Sequence, residues 1–294
     1  MNKKTYILIF VSIAMLILIS YKIISPNKDL IESGIPYEKN YFQMYDSYDM
    51  HGNISVGEFF KKDSSLDDLI GFNNEIKKVL GSNFLEFKDN HIELIDKYEK
   101  DDDLVYGGAD YKNQEIKLNF VDRIITPIAA VHLDENMLNR LKLKVIEGVN
   151  LDREDFKYNN GKVNILMGYD FRNSYNIGDE LKFIFATKTW TGTVVGFIEK
   201  DFKADFDYGF YDINKYIIVP FFNIGSDEES IINELSAGED EVFGANTDFL
   251  KFYCLFKNVG IVYMENKGEY EKYRKLVSDI SDKYDLKFEL LRGY

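Results

Sequence analysis

Residues 161–198, GKVNILMGYDFRNSYNIGDELKFIFATKTWTGTVVGFI, leave the chain little choice of local structure. The apolar run 163–166 stops at Gly168, as a short buried strand does. A polar and aromatic connector follows, and Ile177-Gly178-Asp179 supplies a sharp turn. Leu181, Phe183 and Phe185 alternate along a second strand, and 189–198 forms a third that turns at Gly196. Strands this short cannot bury a face alone, so the stretch predicts a β-rich module against which the rest must pack.

The flanks read differently. A strand at 41–45 precedes a helix over 65–80, for which Ser65 is the expected cap, with Asp68 close to the N-terminal dipole. Leu66, Leu69, Ile70, Ile76 and Leu80 share a helical face, and Gly81 is placed to end it. Residues 84–95 read as one or two strands joined at Asp89-Asn90. The end of the chain repeats this β-α-β order: a strand at 260–264, a helical stripe of Tyr270, Tyr273, Leu276, Val277, Ile280 and Tyr284, and a strand at 286–291. Either unit alone has too few strands to cover its helix. The two are therefore expected to share one sheet, with Leu69, Ile76, Leu276 and Ile280 buried on the same side.

At the other extreme, Lys3 and Lys4 precede the mainly apolar segment 5–24. About 20 such residues span a ~30 Å hydrocarbon core, and the two lysines favour a cytoplasmic N-terminus. A cleaved signal peptide needs small residues at its cleavage site, whereas 20–26 reads Ser-Tyr-Lys-Ile-Ile-Ser-Pro. The expectation is an uncleaved transmembrane signal anchor at 1–25 and a juxtamembrane linker at 26–40. The bulk of the chain then lies outside a cell membrane crossed once.

Charge narrows the partners. Thirty-six basic and 50 acidic side chains leave a formal charge of −14, which repels nucleic-acid phosphates. The run 96–103 reads as a solvated acidic loop, since a calcium site needs ligands spaced around a turn, and 227–241 as a mobile acidic helix or loop. Cys254 is the single cysteine, set among Phe252, Tyr253, Leu255 and Phe256, where a buried inert thiol is expected. His51, His91 and His132 are scattered, and His132 on an apolar strand reads as a satisfied structural histidine. No phosphate loop, dinucleotide fingerprint, HExxH or G-x-S-x-G element occurs. No catalytic, cofactor-binding or metal-binding residue is assigned, and the chain is not expected to be an enzyme. The remaining candidate surface is 199–216, where Phe202, Phe206, Tyr208, Phe210 and Tyr211 are dense in a loop-like stretch. Such rings either anchor a partner or peptide or finish the core.

The order of these elements resembles the extracytoplasmic (periplasmic core) domain of MacB/FtsX-type ABC transporter permeases. The matching residues are Ile165-Leu166-Met167-Gly168, Ile177-Gly178-Asp179 and Val194-Val195-Gly196. Upstream, Lys144-Val145-Ile146-Glu147-Gly148 with Leu151 and Asp155 is similar to the family's entry motif, with Val149 where Arg is usual; downstream, Ile217-Ile218-Val219-Pro220 is similar to its I-x-V/I-P strand. The resemblance implies an α+β fold in two lobes: a porter-like lobe from 41–135 and 251–294, interrupted by a β-rich sabre-like lobe at 136–250. It further implies another permease subunit and, through it, a cytoplasmic ATP-binding cassette subunit as partners, and a peptide or lipoprotein as cargo. The sequence stops at Tyr294, where a full permease enters its second span, so half of a split permease, an accessory subunit or a truncated product is expected. The alternative is a membrane-anchored binding or immunity-type protein using the same fold without an ATPase.

Overall fold

The computed structural model describes residues 41–291 apart from 49, 51–53, 119–120, 187, 207–208 and 225–245. Segments 1–25 and 26–40, read as anchor and linker, and the acidic run 227–241 lie outside the described residues. Among the described residues no helix is long and apolar enough to cross a membrane.

The first elements are strand β1 (Tyr41–Asp46), helices α1 (Val56–Phe60) and α2 (Ser65–Leu80), and strands β2 (Phe84–Ile95), β3 (Gln114–Leu118) and β4 (Val121–Leu133). Helix α3 (Glu135–Leu141) leads into β5 (Val145–Gly148), β6 (Lys162–Met167), β7 (Glu180–Phe185) and β8 (Lys188–Ile198). Then come β9 (Lys203–Phe206), β10 (Gly209–Asp212) and β11 (Ile217–Pro220). Helix α4 (Asn246–Asn258), strand β12 (Gly260–Tyr263), helix α5 (Tyr270–Lys283) and strand β13 (Phe288–Leu290) complete the chain. Helix and strand are mixed, as the α+β reading requires.

The two terminal units interleave rather than sit side by side. β1 lies between β12 and β13, antiparallel to both, and β12 continues onto β2. This gives the order β13-β1-β12-β2 at one end of an 11-stranded sheet. Phe42 and Met44 on β1, Phe84 on β2, Val262 on β12 and Phe288 on β13 face one apolar cluster. α2 adds Leu69, Phe72 and Ile76 to it, α4 adds Phe249, Leu250 and Tyr253, and α5 adds Val277 and Ile280, with Leu276 packed at its margin. Burying each such side chain contributes about 1.5–3 kcal/mol. Helices α2 and α5 touch directly, where Glu75 accepts from Tyr284 Oη at 2.9 Å and from Lys283. The opposite face of these strands is covered by α3 through Met137 and Leu138.

Several local expectations change. The cap of α2 is Ser64, not Ser65, and Ser64 Oγ bonds Asp68 Oδ2 at 2.7 Å instead of a backbone amide. Ser65 faces inward and is buried. β2 does not break at Asp89-Asn90, because β4 pairs with it without interruption from Phe87 to Ile95. The apolar run 252–256 belongs to α4, a helix whose period is hidden by rings on several sides: Phe252 and Phe256 are only partly buried and pack against the core from its edge.

β2 also belongs to a second structure. Along one edge it pairs with β12 near Phe84 and with β7 near Leu94; along the other it pairs with β4. From β7 the ladder runs through β8, β6 and β11 and returns to β4, so these strands with β2 form a closed ring. Leu94, Ile128, Ile165, Met167, Phe183, Trp190, Val194 and Ile217 belong to the same core cluster. The β-rich module and the strands before it are thus one continuous sheet.

Candidate functional site

The motif residues converge where the chain runs backbone against backbone. Gly148 and Gly196 are opposite each other in the β5–β8 ladder. A Cβ on Gly196 would lie 2.5 Å from Val149 O, and one on Gly148 would overlap Val195 O. Gly148 also has φ +83°, in the left-handed region that disfavours side chains. Gly168, at the end of β6, donates its amide to Tyr216 O at 2.9 Å. The carbonyl oxygens of Ile213 and Asn214 lie across its Cα, well under 3.0 Å from where a Cβ would stand.

Ile213 and Asn214 are also the root of a hairpin. Asn214 Oδ1 accepts from Asp201 N at 2.8 Å, Asp212 Oδ1 accepts from Asn214 N at 3.2 Å, and Ile213 N donates to Phe202 O at 3.3 Å. From this clamp β9 and β10 run out as an antiparallel pair, with Phe206 opposite Gly209 and Phe210 opposite Asp205. Among the described residues the two strands pair only with each other. The stretch read as an irregular loop is therefore a hairpin on a fixed base. Of the aromatic candidates, Phe202 is half-buried against the outer-face cluster and belongs to the root. Phe206 lies in β9 and Phe210 and Tyr211 in β10; Tyr208 lies outside the described residues.

A second polar feature, not singled out in the sequence, lies beneath α2 and α4. Glu86, near the start of β2, is fully buried. Its Oε1 accepts from Asn73 Nδ2 at 2.9 Å and stands 2.8 Å from Lys77 Nζ. Its Oε2 has Lys257 Nζ at 3.4 Å as an ion partner but, among the described residues, no hydrogen bond. Lys257 also donates to Phe222 O at 2.7 Å, and Asn258 joins Asn73 at 2.9 Å and the Leu69 carbonyl at 3.0 Å. Burial alone would raise the Glu86 carboxyl, but Lys257 and Lys77 overcome it and hold it below the ordinary range. Burial pushes Lys257 down to about 8 against the attraction of Glu86. Asp134, which caps α3 through Met137 N at 2.8 Å, is pushed up to about 7 by burial and by the charge of Glu86. The signal for this cluster was present: Glu86 interrupts Phe84-Leu85-Phe87, and Asn73 falls on the apolar stripe of α2.

This cluster locks elements together and does not admit a substrate. Beside it, Ile70, Asn73, Ile224, Cys254 and Lys257 line a cavity of about 10 Å³, the size of one water. Cys254 is buried, and burial pushes its thiol up to about 12, which keeps it protonated and unreactive.

His132 departs from expectation. It is buried, stacked on Phe185 with centroids 3.6 Å apart, and among the described residues neither ring nitrogen has a hydrogen-bond partner. Burial, with the nearby charges of Lys88 and His91, pushes it down to about 3. A base depressed in the folded state carries no titration penalty above its unfolded value of ~6.5 and costs the fold progressively more as pH falls towards 3. His132→Leu should therefore stabilise the protein by about 1–3 kcal/mol at pH 7, since two unpaired buried polar atoms disappear. It should also flatten the loss of stability between pH 6.5 and 4, as read by urea unfolding. A variant less stable than the parent at both pH values would contradict this account.

No protein-family model matches the chain, and no curated protein sequence does. Among solved structures it is similar to the extracellular domain of the noncanonic ABC-type transporter YknZ from Gram-positive bacteria. The identity is 11% and the TM-score 0.43, over 86% of this chain and 100% of that one. It is also similar to the periplasmic region of MacB from Actinobacillus actinomycetemcomitans, at 11% identity and a TM-score of 0.39, over 86% of this chain and 89% of that one.

Proposed function

We propose that this chain is the extracytoplasmic module of an FtsX/MacB-type ABC transporter permease system. In this reading 1–25 anchors it in the cell membrane with its N-terminus in the cytoplasm. It works beside another permease subunit, which contacts a cytoplasmic ATP-binding cassette subunit. Its task is mechanical and not enzymatic: it relays movement of the membrane helices or engages a peptide or lipoprotein cargo. The porter-like parts 41–135 and 251–294 and the sabre-like part 136–250 belong to the same reading.

The observation that carries it is the ordered series Gly148, Gly168, Gly178-Asp179 and Gly196. Three of these glycines, Gly148, Gly168 and Gly196, stand at close backbone crossings between elements far apart in sequence. The crossing at Gly168 fixes the base of the β9–β10 hairpin, which makes the hairpin a suitable contact for a partner. A hairpin held at its root can carry force or present rings without altering the sheet beneath it.

Co-purification from native membranes tests the proposal. Full-length protein should bring down a permease subunit and an ATP-binding subunit. Replacing Phe206, Tyr208 and Phe210 together by Ser should weaken that capture severalfold while leaving the melting temperature nearly unchanged. If the rings are core instead, each truncation should cost roughly 3–5 kcal/mol and the melt should collapse. That result would remove the hairpin from the proposal.

A further inference from the structure

The two ends of the described chain leave the fold together. Leu290 on β13 is opposite Met44 on β1, and Leu291 N donates to Gln43 O at 2.8 Å, so Tyr41 and Leu291 emerge at the same end of the sheet. β12 ends there at Tyr263, opposite Tyr41, and β2 begins there. The last turn of α2 lies beside the start of β2, and the first turn of α5 is tied in by Tyr270 Oη, which donates to Leu290 O at 2.9 Å. The C-terminus of α3 reaches the same place: Arg140 lies 3.5 Å over the Tyr263 ring and donates to Tyr41 Oη at 3.2 Å.

Two features of this end bear on what covers it. Val79 and Leu291 are 50% and 38% exposed, large apolar side chains turned to solvent, as Ile146, Val149 and Ile177 are elsewhere on the surface. The charge is also reversed. Glu269 and Glu271 are matched by Lys272 and Arg274, at 3.6 and 2.9 Å. That leaves Lys78, Arg140 and Lys142 against Glu265, in a chain whose formal charge is −14.

We infer that this end of the sheet is a docking face for an anionic bilayer surface. Tyrosine rings with a polar tip and an apolar body suit the headgroup layer. Exposed Val79 and Leu291 reach towards the acyl boundary, and lysines near a surface of acidic lipids are drawn to it within a Debye length. The bilayer is the occupant because the chain enters the fold here, after the apolar run 5–24 and the short segment that follows it. The inference rests on reading that run as a membrane anchor.

Full-length protein in lipid nanodiscs decides the matter. Val79→Cys and, at the far end of β2, Lys97→Cys are labelled separately with an environment-sensitive dye, leaving buried Cys254 in place. Discs of neutral phosphatidylcholine, with or without phosphatidylglycerol, carry a nitroxide on some headgroups as quencher. Quenching at position 79 should exceed that at 97 severalfold in the anionic discs and fall with added salt. Adding Lys78→Glu and Lys142→Glu should reduce it to the level in neutral discs. Equal quenching at the two positions, or quenching at 79 that ignores phosphatidylglycerol, would overturn the inference; so would protection of 79 by an acidic protein but not by lipid. A chain that fails to co-elute with discs refutes the anchor alone. The labelled protein is then mixed with vesicles of the same lipids, and quenching at 79 against 97 still reads the face.

Discussion

Glu86→Gln should destabilise the protein by about 3–5 kcal/mol at pH 7, because it takes from buried Lys257 and partly exposed Lys77 the carboxylate that both face. Glutamine has nearly the same shape, so the loss reports charge and not packing. The drop in melting temperature should be on the order of 10 °C. Two further measurements isolate the cause. Adding Lys257→Met should recover much of the loss, since the second substitution removes the orphaned cation. The pH dependence should also change. Lys257 stands at about 8 in the folded protein, against ~10.4 when unfolded. The folded chain thus binds fewer protons between these values, and its stability rises with pH across that window. Without Glu86 the lysine is depressed further and the window opens at lower pH. The glutamine variant should regain stability from pH 7 to 9 more steeply than the parent. Parallel curves would show that Lys257 is not the affected group.

Gly168→Ala should be nearly as damaging, at about 3 kcal/mol, the upper end of the cost of overpacking. The new methyl meets the carbonyl oxygens of Ile213 and Asn214, which belong to the main chain and cannot rotate aside. Relief requires the hairpin root to move off β6, which breaks the hydrogen bond from Gly168 N to Tyr216 O and strains the Asp201–Asn214 clamp. Gly178→Ala is the control, since no atom stands within 4 Å of its added Cβ. There the cost should come only from its positive φ, about 1 kcal/mol. Equal losses at the two positions in chemical denaturation would refute the close-packing account of Gly168.

What the sequence disclosed follows from how far each signal reaches. The strands β6, β7, β8 and β11 and the helices α2 and α5 were legible because their periodicity and turn residues act within a few residues. Ser65 was mistaken for a cap because two serines in succession present the same cue, and only packing decides which faces inward. α4 was missed because its aromatic residues occupy more of its circumference than a single stripe. The closure of β2, β7, β8, β6, β11 and β4 into a ring depends on pairings between strands up to about a hundred residues apart, which no local pattern encodes. The Glu86 cluster was hidden in a different way. Its carboxylate and its two lysines come from β2, α2 and α4, and each taken alone resembles an ordinary surface charge. A charged residue inside an apolar run is a warning of such a site, but it does not name the partner.

The double membership of β2 has a mechanical consequence. A 12-residue strand spans ~40 Å, and this one begins beside β12, one strand away from the β1–β13 pair that carries both chain ends, and finishes in the wall of the closed ring. β4 runs alongside for most of that length, so the two act as a girder. A bend between the helix-covered strands and the ring would have to shear that ladder, whose hydrogen bonds lie across the bending plane in series. Displacement applied at Tyr41 or Leu291 is therefore delivered to the far end as rotation of a stiff body, and small angles at the base become ångström-scale sweeps at the tip.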